Sequence, residues 1–378
     1  SVSLSGDTAV VSAIFDDIES GVAYIFVRDD SGNWNRQAKL RGQEDFGSAI
    51  SVDGDIAVFN SPFRPDAVRV FARDGVGNWI ENIRLSPDSD DQEEEFGTFL
   101  SIDGNTIVVR GVSDNGNGAT YVFELQRPDG FVFLADEKVE IDRPSISAGN
   151  IHANGDIIFD KGSRGTHTGD LSAVDFIKIG KRNTIVGDAS AGFSVIIDDK
   201  STVTGTVVEN TDVAVIPLPT ITPFSAGKED IKVKSGEILA LAPGSYDDVR
   251  ANEGATLQLM SGEYFLEELD LKDRSVLEID VSKGSVTINV EKELEFDNEM
   301  EVRITPFDED SSNWVTFKQL GHKTVEIDKG AKVLGTIIAP KAKVELKTGS
   351  YFKGTILART IEVKTRVTFL PHNSSDSE

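Results

Sequence analysis

Cysteine is missing from this chain, so it forms no disulfide and no Cys-ligated zinc or iron–sulfur site, while its redox compartment stays undetermined. Cations are scarce as well: 38 Lys plus Arg stand against 64 Asp plus Glu, a formal net charge of −26. Phosphate backbones are gripped by clustered positive charge, so nucleic acid is not an expected partner. No apolar run approaches the ~20 residues that span a bilayer, and no direct membrane insertion is expected. No signal peptide precedes Ser1, a leader having been removed or never present. The histidines His152, His167, His322 and His372 share no spacing that makes a metal site or a catalytic dyad, and surface or turn positions are expected of them. No nucleophile elbow, phosphate-binding loop or dinucleotide fingerprint occurs, which leaves nucleophilic hydrolysis without support.

Acid, glycine and short alternating strands are what the chain does contain. At 378 residues it is long enough for two or three domains with cores of their own. Residues 1–140 carry 26 acids and 11 bases, a net of −15, which leaves −11 for the remaining 238. A surface of this sign stays soluble and gathers cations, as suits a high-salt or extracellular setting, although many cytosolic proteins are acidic too.

Two repeat systems share the chain. In the first, Phe46-Gly47-Ser48-Ala49-Ile50-Ser51-Val52-Asp53-Gly54-Asp55 returns 50 residues later as Phe96-Gly97-Thr98-Phe99-Leu100-Ser101-Ile102-Asp103-Gly104-Asn105, and Ser1 to Asp7 match its second part. Each copy continues with an apolar strand (8–12, 56–60, 106–110), a polar loop and a second strand (23–26, 68–71, 120–123). A turn ending in Gly-Asn-Trp, at Trp34 and Trp79, leads to another strand (37–40, 82–85). Four short strands joined by Gly, Asp and Asn turns over ~45 to 50 residues make the pattern of one propeller blade. These motifs resemble the FG-GAP repeats of bacterial surface proteins, which are similar to blades of the integrin α-subunit propeller. The resemblance covers roughly residues 1–135 and implies an extracellular adhesion module. About three copies are present, and Pro128-Asp129-Gly130-Phe131 replaces the Gly-Asn-Trp turn in the third. Closed propellers generally need four to eight blades, so the chain is expected to begin inside a blade with further copies upstream, the alternative being three units packed as an open stack. Trp34, Trp79 and Phe131, which follow equivalent turns, are expected to pack in the core or between copies.

From about residue 141 the period shortens. Gly169, Gly187 and Gly205 recur every 18 residues, and Gly335-Thr336-Ile337-Ile338-Ala339 returns after 19 as Gly354-Thr355-Ile356-Leu357-Ala358. Segments such as 176–179, 194–197, 276–279, 286–290, 324–327 and 342–346 alternate apolar with polar residues, as half-buried strands do. One coil per 18–20 residues is what a parallel β-helix requires, and ~12 coils stacked ~4.8 Å apart give a rod of ~55 Å. Ala-Pro-Gly-Ser-Tyr (242–246) and Gly-Thr-Ile-Ile-Ala-Pro (335–340) resemble the bactofilin-like β-helix of polymer-forming bacterial proteins. Pro217, Pro219 and Pro223 cannot donate to a strand ladder, so an excursion or cap is placed near 214–235. The expected architecture is therefore all-β: incomplete propeller-type blades over 1–140, a parallel β-helix (β-solenoid) over 141–370 and a flexible tail at 371–378.

Calcium is the candidate cofactor, since hard cations take several oxygens from acidic loops. The integrin resemblance places such a loop after the first strand of a blade, here Phe15 to Gly21, and points to Asp16, Asp17 and Glu19 as ligands. The runs 88–95 and 308–310 read as solvated acid. A polysaccharide lyase would need acids and bases at matching positions in successive coils, and Asp188, Asp198 and Asp199, or Lys178, Lys181 and Arg182, read instead as outward strand and corner residues. The expected function is non-enzymatic: an extracellular structural or adhesive protein that associates with itself, with other surface proteins or with glycans, and assembles through exposed strand edges. The alternative is a carbohydrate-binding or carbohydrate-cleaving β-helix.

Overall fold

The computed structural model describes residues 1–17, 20–29, 32–42, 46–60, 68–73, 79–86, 96–104, 106–112, 118–124, 130–144, 146–160, 165–307 and 311–372. The chain divides into two compact units, Ser1–Arg127 and Pro128–Glu378. Both are built of strands, and none of the described helices is long and apolar enough to cross a membrane, which says nothing of a β-barrel.

The first unit holds three antiparallel sheets, one per repeat copy. They comprise Val2–Ser5, Thr8–Asp17, Ser20–Arg28 and Trp34–Arg41; then Ile50–Asp53, Ile56–Asn60, Val68–Arg73 and Trp79–Leu85; then Phe99–Asp103, Thr106–Val112 and Gly118–Glu124. Side chains join the copies. Ser3 Oγ accepts the Val52 N–H (3.1 Å), Ser51 Oγ accepts the Ile102 N–H (3.2 Å), and Asp53 Oδ2 accepts the Gly104 N–H (2.8 Å). The repeated Ser-x-Asp-Gly is thus a hydrogen-bonding strip that each copy offers to the next. Phe46 and Phe96 are the plugs between sheets: Phe46 packs among residues of the first two copies and Phe96 among those of the last two. Trp79 is buried, 8% exposed, and its indole donates to Gln37 of the preceding copy (3.0 Å). Trp34 departs from the expected packing: it is 43% exposed beneath the Arg28 guanidinium.

The second unit is a β-solenoid of about 12 turns. Each full coil contributes a strand segment to three faces, and every pairing between coils is parallel. Inward residues are mostly aliphatic or aromatic because alternate side chains of a strand point to opposite sides. One inner column reads Leu257, Leu277, Val302, Val333, Phe352, Phe369, Ser147, His167 and Ile185.

That column shows that order in space differs from order in sequence. Phe133–Ile141 pairs with Tyr351–Val363 on one side and with Ile151–Ala153 and Asp156–Phe159 on the other. The stack therefore runs from residue 227 to 372 and continues with 131 to 208. Residues 133–140, grouped with the blades in the sequence reading, are a solenoid coil, and the two units divide at 127/128. Phe131 lies in this second unit, buried beneath the strap described below. Pro371 and His372, read as the start of a tail, also belong to the fold, His372 being buried. Residues 373–378 lie outside the described residues.

Two corners explain the sequence signals. Gly335, Gly354, Pro371, Gly149, Gly169, Gly187 and Gly205 form one corner column, so the two glycine repeats are one feature interrupted by a proline. At Gly187 (φ 157°) a Cβ would stand 2.4 Å from the Gly169 carbonyl oxygen, a distance no side chain tolerates. The corner between the second and third faces carries a left-handed residue in nearly every coil. It is glycine at 236, 254, 330 and 349, but Arg182 (66°), Lys200 (65°), Arg274 (56°), Glu299 (58°) and Arg366 (57°) elsewhere.

From residue 209 the chain must return from one end of the stack to the other. It does so as a strap: Thr211 N donates to Ala191 O, Ile216 packs on Phe131, Leu134 and Leu357, and Gly227 N donates to Tyr246 O. Roughly 16 residues cross about ten inter-coil steps of ~4.8 Å, an advance of ~3 Å each, which is the rise of a polyproline II chain. The prolines suit that conformation, and their missing N–H groups are no loss where no ladder is made.

Candidate functional surface

The solenoid offers three outward faces of different chemistry. The first is covered by the strap. Its outward column runs Lys318, Ile338, Leu357, Leu134, His152, Ser172, Ser190 and Val208. Ile216 and Leu218 close over the aliphatic part. Asn154 is the clasp: its Oδ1 accepts the Ile216 N–H (2.8 Å) and its Nδ2 donates to the Ile216 carbonyl (2.9 Å). This pair fixes the amide orientation, so His152 Nε2, 3.1 Å from Asn154 Oδ1, must carry the proton. The Nδ1 of His152 is then the acceptor for the Ser172 hydroxyl at 2.8 Å. Burial holds the His152 pKa below its ordinary value, with the Asn154 hydrogen bond opposing.

The second face carries a column of stacked acids: Asp270, Glu295, Glu326, Glu345, Glu362 and Glu140 occupy one register position in consecutive coils. Six carboxylates one strand spacing apart repel one another, and lysines are threaded between them. Lys272 lies 2.7 Å from Asp270, 3.3 Å from Asp297 and 3.5 Å from Glu295. Lys347 joins Glu326 (2.5 Å) to Asp328 (2.6 Å), and Lys343 joins Glu362 (2.6 Å) to Glu345 (2.8 Å). Burial alone would lower the Lys272 pKa, but its hydrogen bond to Asp270 and the charges of Asp270 and Asp297 raise it above the usual lysine range. The third face presents, over coils 146–204, an uncharged strip containing Thr166, Thr168, Thr184, Val186, Thr202 and Thr204.

Among the described residues two acidic groups have the reach to share a cation, Asp247 with Asp248 and Glu267, and Asp270 with Glu295 and Asp297, the atoms of each group lying within 4.8 Å. In the second group the Lys272 ammonium already supplies a positive charge, and in the first Glu267 is paired with Lys292. The proposed ligands Asp16 and Asp17 end the strand Thr8–Asp17, but their side chains and all of Glu19 lie outside the described residues, as do 88–95 and 308–310. Asp188 is a corner residue whose Oδ1 accepts the Thr206 N–H at 2.6 Å, while Asp198, Asp199, Lys181 and Arg182 stand at the corner after the second face.

The histidines correct the sequence reading. His322 is exposed, but His152, His167 and His372 are buried. His167 points into the core between Phe159 and Phe369, where burial pushes its pKa down to about 4. His372 is held by Ser312 Oγ (2.8 Å) and Thr336 Oγ1 (3.2 Å), its pKa pushed down to about 4 by burial and by the Lys353 charge. An inward histidine occupies the place of an aliphatic residue in its coil, and strand alternation alone would reveal it only once the register was known.

Comparison with known proteins gives two family matches. Residues 1–26 match the FG-GAP repeat and residues 225–316 match a domain of unknown function (DUF7305). No curated protein matches. Among solved structures, an ice-binding protein from the Antarctic ascomycete Antarctomyces psychrotrophicus is 13% identical, covering 64% of this chain and 95% of its own, with a TM-score of 0.30. An ice-binding protein from an Antarctic biological consortium is also 13% identical (66% and 96% covered, TM-score 0.27). One from an Antarctic Flavobacteriaceae bacterium is 12% identical (65% and 81% covered, TM-score 0.26).

Proposed function

We propose that this chain is a non-enzymatic structural or adhesive protein of the cell surface or extracellular matrix. The observation that carries this reading is the unbroken parallel ladder, about 12 turns long, which persists even where the chain order breaks at Phe133–Ile141. Such a ladder makes long rigid faces with side chains at a constant spacing, suited to repeated contacts with a surface or with other copies. On this reading the first unit contributes propeller-type FG-GAP blades, and calcium binds at Asp16, Asp17 and Glu19. Self-association into filaments or a matrix, as in polymer-forming β-helix proteins, is the expected mode. Negative-stain electron microscopy of the purified protein, with and without calcium, tests it: ordered filaments or sheets support a structural polymer, and isolated particles that bind no cell surface or matrix count against it.

One observation favours a second reading, glycan binding. Phe176 and Phe193 are exposed on successive coils and stack at 5.3 Å, and aromatic pairs of this kind contact sugar rings. A glycan array with wild type and Phe193→Ala distinguishes the two, since loss of a specific signal in the variant supports this alternative.

A further inference from the structure

The two ends of the coil stack match each other on the second and third faces. At one end stands the coil 189–208, at the other the coil 227–241. Carrying the inner columns across an imagined junction sets Ile197 over Val233, Val195 over Ile231 and Val203 over Leu239. Every pair is aliphatic. The corner between the second and third faces has the same length in both coils, since 203 − 197 and 239 − 233 are each 6, so the faces stay in phase around the turn. Ile197 and Leu239 are open here, 41% and 37% exposed, whereas Val195 and Val233 are already covered. At the corner, Asp198 follows Ile197 and Lys234 follows Val233, which brings opposite charges together where each interior coil donates an N–H to the carbonyl of the coil before it.

The chain already contains one such junction. Phe133–Ile141 adds edge to edge onto Tyr351–Val363, a strand more than 200 positions away, with all seven register pairs parallel. His372, two residues beyond the strand segment that pairs with Ile146–Ala148, lies beside this internal junction and not at a coil end.

We propose that copies of this chain stack head to tail through these ends, the coil 189–208 of one copy pairing with the coil 227–241 of the next. The proposal rests on the structural reading above and names its contact. Two carboxylates gate it. Glu209 Oε1 accepts the outward Val195 N–H at 2.7 Å, and Glu237 Oε2 accepts the Lys234 N–H at 3.3 Å. Both amides belong to the edges that the junction would use, so each carboxylate must swing aside. A charged side chain across an edge strand is a recognised guard against indiscriminate pairing, and displacing it raises the concentration at which stacking sets in.

Because the chain has no cysteine, disulfide trapping reads the contact directly. Asp199 and Ser235 follow Asp198 and Lys234 at the corner, and the proposed stacking puts their Cα atoms about one strand spacing apart, within disulfide reach. Asp199→Cys and Ser235→Cys proteins are purified separately, mixed and oxidised. The expected product is the mixed 199–235 dimer, several-fold more abundant when both proteins also carry Glu209→Ala. Asp198→Lys should abolish it, and adding Lys234→Asp to the Ser235→Cys partner should restore it. Only like-with-like disulfides, or none even with Glu209→Ala, overturn the proposal. Filaments seen by microscopy without the mixed disulfide would overturn this contact and leave the structural reading standing.

Discussion

The two units solve the same problem, joining repeats into a continuous body, in opposite ways. In the first unit each copy completes its own antiparallel hydrogen bonding, and copies meet through side chains: a phenylalanine plug and a Ser/Asp strip that catches single amides. In the second, no coil is complete alone, because its backbone groups are satisfied only by the coils above and below. Side-chain joints can be weakened one copy at a time, whereas a backbone ladder transmits register along its whole length.

The sharpest test of this contrast is Phe46→Ala, which removes a fully buried aromatic shared by two sheets. A loss of about 3–5 kcal/mol is expected, confined to the first of two unfolding transitions seen by calorimetry. Movement of both transitions together would break the comparison.

Acid separates the units next. All four histidines lie beyond residue 127. The folded pKa values of His167 and His372 are about 4 against 6.5 when unfolded, so between those values the unfolded chain binds more protons. Stability is therefore full above pH 6.5 and falls as the pH drops toward 4, by at most about 3 kcal/mol per histidine. The solenoid transition should move down over this window. His167→Leu should remove part of the slope, and the first unit should show no histidine contribution.

The strap provides a smaller effect. Asn154→Ala takes both partners from the Ile216 backbone and leaves His152 without its Nε2 acceptor, an expected cost of about 2 kcal/mol. Hydrogen exchange should rise in 209–226 before it rises in the coils.

Smallest, and opposite in sign, are the left-handed corners. Arg274→Gly and Arg366→Gly relieve a backbone conformation that side chains rarely adopt and should each stabilise the solenoid by about 0.5–1 kcal/mol, measured by denaturant midpoint. Gly254→Ala, in the same place two coils from Glu299, should destabilise by a similar amount.

Strands, their alternation and the proline excursion were legible in the sequence because each rests on local chemistry. The 18-residue glycine spacing marked a corner where coils touch backbone to backbone, and that contact admits no side chain. The acid column was not legible. Its members from Asp270 to Glu362 are separated by 25, 31, 19 and 17 residues (295 − 270, 326 − 295, 345 − 326, 362 − 345), because loops of unequal length intervene, so no period betrays them. Nor did any local signal tell that Glu140 would join from the other end of the segment.

The sequence by itself determined that this protein is a stack of strands with two repeat lengths, since side-chain alternation and glycine corners act over a few residues. Only the tertiary structure decided the order of the stack, the burial of three histidines and the alignment of six carboxylates with their lysines. Those follow from which edge pairs with which, and parallel edges of one cross-section are chemically alike until the whole chain, strap included, has to reach.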